Sequence, residues 1–373
     1  MKKKVLITAI ATAALASAAI TACRTTPPAA EQTTVTAKST TKADSTQAPQ
    51  AVEISDSYDN NKELLAKFPI ENLTPVDTDM EKNIQNRLLN GFENWNRGFD
   101  TWKAWGDILY TPDSLYNIHG VKLTLAEYQK AMDIELKATN IQMGVFRNMV
   151  ISDDWTAIRY DIHNTNNKTG ETNDGTVMEF VHFKDYGDDL GTRVVEGWAG
   201  TKDNSFNGVS NFQTEEEKAK QQEALQKVVN YTIPETTDLT AKYPVINPTS
   251  VDDQMGKKIQ AAILQDFDNW NQGAEAWGNW ADSYYTKDYQ SHGRDEDMGL
   301  EDYKSFVKGD AEKTENKRLF FDNMLISGDW AAIHYRVTNT DKATNEKSTG
   351  DVMQFLHFVL DGDSVKVSES WTK

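Results

Sequence analysis

Asn148-Met-Val-Ile-Ser-Asp-Asp-Trp155 returns 175 residues downstream as Asn323-Met-Leu-Ile-Ser-Gly-Asp-Trp330. Working outward, Phe92-Glu-Asn-Trp-Asn96 is matched by Phe267-Asp-Asn-Trp-Asn271. All ten tryptophans fall into five pairs: Trp95 with Trp270, Trp102 with Trp277, Trp105 with Trp280, Trp155 with Trp330, and Trp198 with Trp371. The separation is 173 or 175 residues in every pair. Repetition at so long a period predicts two whole domains of one fold rather than a solenoid of short units. The expected domains are residues 58–200 and 237–373, with 201–236 as a connector.

Each half opens with an amphipathic helical stripe. Met80, Ile84, Leu88, Phe92, Trp95, Phe99 and Trp102 recur at spacings of three and four, as do Met255, Ile259, Ile263, Phe267, Trp270, Ala274 and Trp277. Gly98 and Gly273 interrupt the stripe and predict a break there. A second short helix is expected to carry Trp105 to Tyr110, or Trp280 to Tyr285, followed by a loop with His119-Gly120 or His292-Gly293. Thr124 and Glu127 form a capping-box pattern for a third helix reaching about Ala138, and the second half repeats it from about Leu300. The apolar period then switches to two, predicting four strands per half, Val145–Ile151, Trp155–His163, Thr176–Lys184 and Thr192–Trp198 in the first. The expected class is α+β, each domain about three helices on a curved four-stranded antiparallel sheet. In the connector, Thr214 to Glu217 again reads as a capping box, opening a charged helix.

At the beginning, Lys2, Lys3 and Lys4 precede an apolar run from Val5 to Ile20, the pattern of a secretory signal. Ile20-Thr21-Ala22-Cys23 resembles the lipobox of bacterial lipoproteins, and Cys23 is the only cysteine. This reading takes residues 1–22 as signal, Cys23 as the lipidation site and 23–57 as a Thr-, Ala- and Pro-rich tether. Arg24 follows Cys23 where an aspartate would be the inner-membrane retention signal, so the resemblance implies the outer membrane, in a palmitoylated form. The formal charge of −18 argues against nucleic acid and against anionic lipid headgroups as electrostatic partners.

Met353-Gln-Phe-Leu-His-Phe358 with Glu369-Ser-Trp371, mirrored by Met178-Glu-Phe-Val-His-Phe183 with Glu196-Gly-Trp198, resembles the SnoaL-like polyketide cyclase branch of the nuclear transport factor 2-like superfamily. The resemblance implies cone-shaped domains with internal pockets, and sheet-to-sheet dimers, so that two copies in one chain form an internal pseudo-dimer. It also implies an acid–base aspartate on the sheet. Asp161 is offered for that role, yet Arg336 stands at its equivalent in the second half.

By alternation His182 shares a face with Met178 and Phe180, and Glu196 shares one with Trp198. If these faces are concave, His182 with Glu196 and His357 with Glu369 are candidate acid–base pairs. Trp105, Tyr110, His119 and Trp198, with Trp280, Tyr285, His292 and Trp371, are the candidate ligand-binding residues. There is no phosphate loop, metal-spaced histidine pair or serine elbow, so no cofactor and no metal are expected. The sequence thus supports a lipid-anchored envelope protein binding a small, partly apolar ligand. A cyclase- or isomerase-type enzyme and a protein-docking module stay open, because fold does not fix function.

Overall fold

Glycine ends the long helices where the sequence places it. In the computed structural model, which describes residues 52–56, 61–118, 120–201, 209–293 and 297–373, the first half runs α1 (Asn61–Lys67), β1 (Ile70–Leu73), α2 (Asp79–Asn96), α3 (Phe99–Leu109), β2 (Tyr110–Ile118) and β3 (Val121–Thr124). It continues with α4 (Leu125–Ala138), β4 (Thr139–Ser152), β5 (Trp155–Asn166), β6 (Thr172–Asp185) and β7 (Thr192–Thr201). After α5 (Glu215–Val229) and α6 (Leu239–Lys242), the second half runs β8 (Val245–Pro248), α7 (Gln254–Asn271), α8 (Ala274–Tyr284), β9 (Tyr285–His292) and β10 (Asp297–Gly299). It closes with α9 (Leu300–Ala311), β11 (Thr314–Ser327), β12 (Trp330–Asp341), β13 (Lys347–Asp361) and β14 (Ser364–Thr372). The signal segment, Cys23 and most of the tether lie outside the described residues, as does His119.

Gly98 and Gly273 sit between the first two long helices of their halves at φ 113° and 109°, a region that side chains with a Cβ avoid. The next helix starts one residue later, so α3 and α8 begin before the expected Trp105 and Trp280. The capping boxes form as read, Thr124 with Glu127 and Thr214 with Glu217, and Thr78 with Glu81 adds a third.

The mixed α+β architecture holds, but the four-stranded sheets do not. Each half carries a seven-stranded sheet, in the orders β1-β4-β5-β6-β7-β2-β3 and β10-β9-β14-β13-β12-β11-β8. The expected meander forms the centre, antiparallel throughout. Three further strands flank it, with β1 and β2 joining β4 and β7 in parallel. Strands of three or four residues carry too little alternation to be read locally, and β2 contains Pro112, which argues against a strand. His292 is the last residue of β9 rather than part of a loop.

Both faces of each sheet are apolar, and they face different things. One face packs on the helices, where Val177, Val181 and Phe183 of β6 join Leu89, Phe92 and Trp102 in one core. A matching core of the second half gathers Phe267, Trp277, Leu356 and Phe358. The opposite faces meet in a third cluster, with Val150, Met178 and Phe180 against Leu325, Met353 and Phe355. The Arg159 guanidinium lies 4.4 Å over the Trp371 ring and is held by Asn148, 2.8 Å from its Nε.

Asp161 is explained by the same comparison. It binds Arg147 at 2.6 Å, while at the equivalent positions Asp322 binds Arg336 at 2.5 Å. The pair is kept and its polarity reversed across the repeat. That is the mark of an ion pair kept for structure in both halves.

Candidate functional site

Alternation along β6 puts Glu179 on the helix-facing side, the one charge in a row with Val177, Val181 and Phe183. Its Oε1 accepts from the Tyr160 hydroxyl at 2.6 Å and its Oε2 from the Tyr116 hydroxyl at 2.8 Å. Tyr160 comes from β5 beside it. Tyr116 reaches across β7, and only glycine permits this: a Cβ on Gly197 would come within 2.3 Å of the Tyr116 ring. Burial penalises the carboxylate and raises the Glu179 pKa, and the two tyrosine hydrogen bonds pull the other way without cancelling it.

Glu179 keeps part of its surface free because it lines a cavity between sheet and helices, with about 60 Å³ of open space. That is room for a few atoms rather than for a drug-sized molecule. The walls are aromatic, including Phe92, Trp95, Trp102, Trp105, Tyr110 and Tyr128. Tyr116 and Tyr128 stack at 4.4 Å. Burial raises the hydroxyl pKa of Tyr110, Tyr116, Tyr128 and Tyr160, with the Glu179 charge adding to it, so all four remain protonated donors. Trp105 approaches α2 closely because residue 91 is glycine, where a Cβ would stand 2.8 Å from the ring.

The second half fills the same space. Asp266 stands where Gly91 does and Arg318 where Met143 does, and the two form a buried ion pair. Asp266 also accepts from Trp277 Nε1 at 2.9 Å. The Arg318 guanidinium lies 3.9 Å over Trp270 and 5.1 Å over Phe267, the equivalents of Trp95 and Phe92. Burial alone would lower the Arg318 pKa, and the Asp266 charge together with the surrounding tyrosines more than offsets it, keeping the guanidinium charged. Gln354 replaces Glu179, and the Tyr289 hydroxyl turns to Ser370 at 2.6 Å. Trp280, displaced from the interior, is half-buried and stacks on Tyr284.

Of the residues predicted from sequence, Trp105 and Tyr110 line the cavity and Tyr285 occupies the second interior. The proposed acid–base pairs lie on the opposite sheet face. His182 and Glu196 are cross-strand neighbours, as are His357 and Glu369, so each pair is adjacent but faces away from the helices. His182 stacks 4.3 Å from Trp155 and contacts Asp154 at 3.0 Å, while Glu196 pairs with Lys122 at 3.4 Å. His357 repeats the arrangement with Trp330 and Asp329. Trp198 and Trp371 pack beside the cluster between the sheets, and His292 stacks on Trp371 at 4.9 Å. Sequence reasoning missed Glu179, Tyr116, Tyr128 and Tyr160. The available signal was the single charge in Val177-Met-Glu-Phe-Val-His-Phe183.

Among the described residues, no group of three or more His, Cys, Asp or Glu is arranged to hold a metal, and no helix is long and apolar enough to cross a membrane. No family profile and no curated protein matches the chain. Solved structures similar to it include AclR from Streptomyces galilaeus, described as a hydroxylase, with 21% identity over 31% of this chain and 85% of that one, at a TM-score of 0.27. A ketosteroid isomerase-like protein from Erwinia carotovora atroseptica shows 17% identity over 32% of this chain and 96% of that one, with a TM-score of 0.27. A protein from Jannaschia, described as a SnoaL-like polyketide cyclase, shows 15% identity over 34% of this chain and 88% of that one, with a TM-score of 0.28.

Proposed function

We propose that the first half holds one small, partly apolar molecule in the cavity beside Glu179, and that the equivalent position of the second half, taken up by Asp266 and Arg318, holds none. The observation that carries this reading is the contrast between the repeats. At the equivalent position one half keeps open space against a buried carboxyl and the other places the Asp266–Arg318 pair, the second half's own larger cavity lying elsewhere, between Trp270, Phe306 and Lys342. Glu179 and the tyrosine hydroxyls orient the ligand, while Trp95, Trp102 and Trp105 supply apolar contact. Lys2 to Lys4, the apolar run and Cys23 support its doing this while lipid-anchored in the cell envelope, at the outer membrane.

Native mass spectrometry of the full-length protein, extracted from its own envelope in detergent, tests the proposal. The expected result is one small molecule per chain rather than two, absent from Met143→Arg, which brings the second half's guanidinium into the first. An empty wild-type protein, or a ligand retained equally by Met143→Arg, overturns it. Labelling with a fatty-acid analogue, lost in Cys23→Ser, tests the anchor.

A further inference from the structure

The cavity of the first half has a counterpart whose occupant is visible. In the second half, Trp270, Phe267 and Tyr335 surround a guanidinium, with the Arg318 carbon 3.9, 5.1 and 5.6 Å from the three ring centroids. Ring faces carry negative charge density, and a cation over them is held more strongly once water is excluded. The equivalent rings are all present in the first half, as Trp95, Phe92 and Tyr160. Phe92 and Tyr160 meet edge to face at 4.7 Å, and Phe267 and Tyr335 at 4.9 Å, so these two rings of the box keep the same arrangement.

What the first half lacks is the cation. Met143 replaces Arg318 and Gly91 replaces Asp266, and the carboxyl at this cavity's wall is Glu179, where the second half has Gln354. Among the described residues, no Lys, Arg or His forms an ion pair with Glu179, whose hydrogen bonds come from two tyrosines. Arg87, which also lines the cavity, is engaged by Asp56 and by the Leu190 and Thr192 carbonyls, at 2.5 and 3.2 Å for the carbonyls. A buried carboxylate without a cation costs free energy that an incoming cation relieves.

We infer that the cavity takes a compact organic cation, an ammonium or guanidinium group on a small apolar body, which supplies in the first half the charge beside the rings that Arg318 supplies in the second, with Glu179 as its carboxylate. This rests on the ligand-binding reading above and narrows it to a substrate class. The limited volume requires that the charged head, rather than a large hydrophobic tail, occupy the box.

The test is a tryptophan-fluorescence titration of the full-length protein in detergent micelles, at matched ionic strength. Methylguanidinium is the cation, and N-methylurea is a neutral probe of nearly the same shape. Methylguanidinium should bind at least about tenfold more tightly than methylurea. Its affinity should rise with pH as Glu179 ionises, since this probe keeps its charge throughout. Glu179→Gln should reduce methylguanidinium to the level of methylurea, and Met143→Arg should abolish its binding. Equal or tighter binding of methylurea, a preference that survives Glu179→Gln, or binding of neither probe overturns the cation assignment. Methylurea binding as tight as that of methylguanidinium, and abolished by Met143→Arg, would leave the cavity as a ligand site and sink only the cation. An empty protein from the native envelope would instead sink the ligand-binding reading itself.

Discussion

Glu179 shows what one buried acid does to a fold and to its pH dependence. Its pKa is raised in the folded protein, so the folded state holds the proton more tightly than the unfolded chain does. The stability associated with that proton is fully present below the ordinary carboxylate range and is lost as pH rises through the folded value. Glu179→Gln, which mimics the protonated form, should therefore stabilise the empty protein at neutral pH. The gain should vanish below about pH 4. Denaturant melts of both proteins across this range check it, and parallel curves at every pH would refute it. This residue was legible only in part. The sequence shows a lone acid among apolar neighbours, but whether it points at a cavity or at a partner sheet depends on chain segments more than sixty residues away, Tyr116 above all.

At the level of elements, local chemistry decided most of the outcome. Three reciprocal capping boxes start α2, α4 and α5. Glycines at φ 113° and 109° place the turns between the paired helices. Nothing lies within 4 Å of a Cβ built on Gly98, so substitution there is opposed by backbone strain alone. Gly98→Ala should cost about 1–3 kcal/mol, measured by chemical denaturation. A change below a few tenths of a kcal/mol would mean that the turn relaxes. The flanking strands followed a different rule. β1 and β8 form because β4 and β11 offer an edge to pair with, and Asn72 and Asn247 fasten them to the Arg147 and Asp322 carbonyls at 2.9 and 3.0 Å. Nothing within four residues announces such a strand.

Across the whole molecule, the outward sheet faces are apolar because they cover each other. Phe180, Met178 and Val150 bury against Phe355, Met353 and Leu325, all nearly inaccessible. Phe355 is 0% exposed, so Phe355→Asp would place a carboxylate in this cluster. The wild-type protein should unfold in one transition and Phe355→Asp in two, as each half then melts on its own core. Calorimetry distinguishes these, and a single transition in both would show that other contacts couple the halves. The same burial explains why the predicted His182–Glu196 and His357–Glu369 pairs fell on the far side of the sheet from the cavity. In a sheet buried on both faces, apolar residues mark neither face as the inner one.

The sequence by itself determined the duplication, the α+β class, the capped helix starts and the glycine breaks, and the central four-stranded meander of each half. These depend on repeats, caps, glycines and alternation, all read within a few residues or by matching one half to the other. Only the tertiary structure decided which sheet face lines the cavity, how many strands flank the meander, and that the place left open beside Gly91 and Met143 is taken up by Asp266 and Arg318 in the second half. Those outcomes depend on which segments meet in space. A Gly-to-Asp and a Met-to-Arg difference, 52 residues apart in the chain, becomes one ion pair only when α7 is laid against β11.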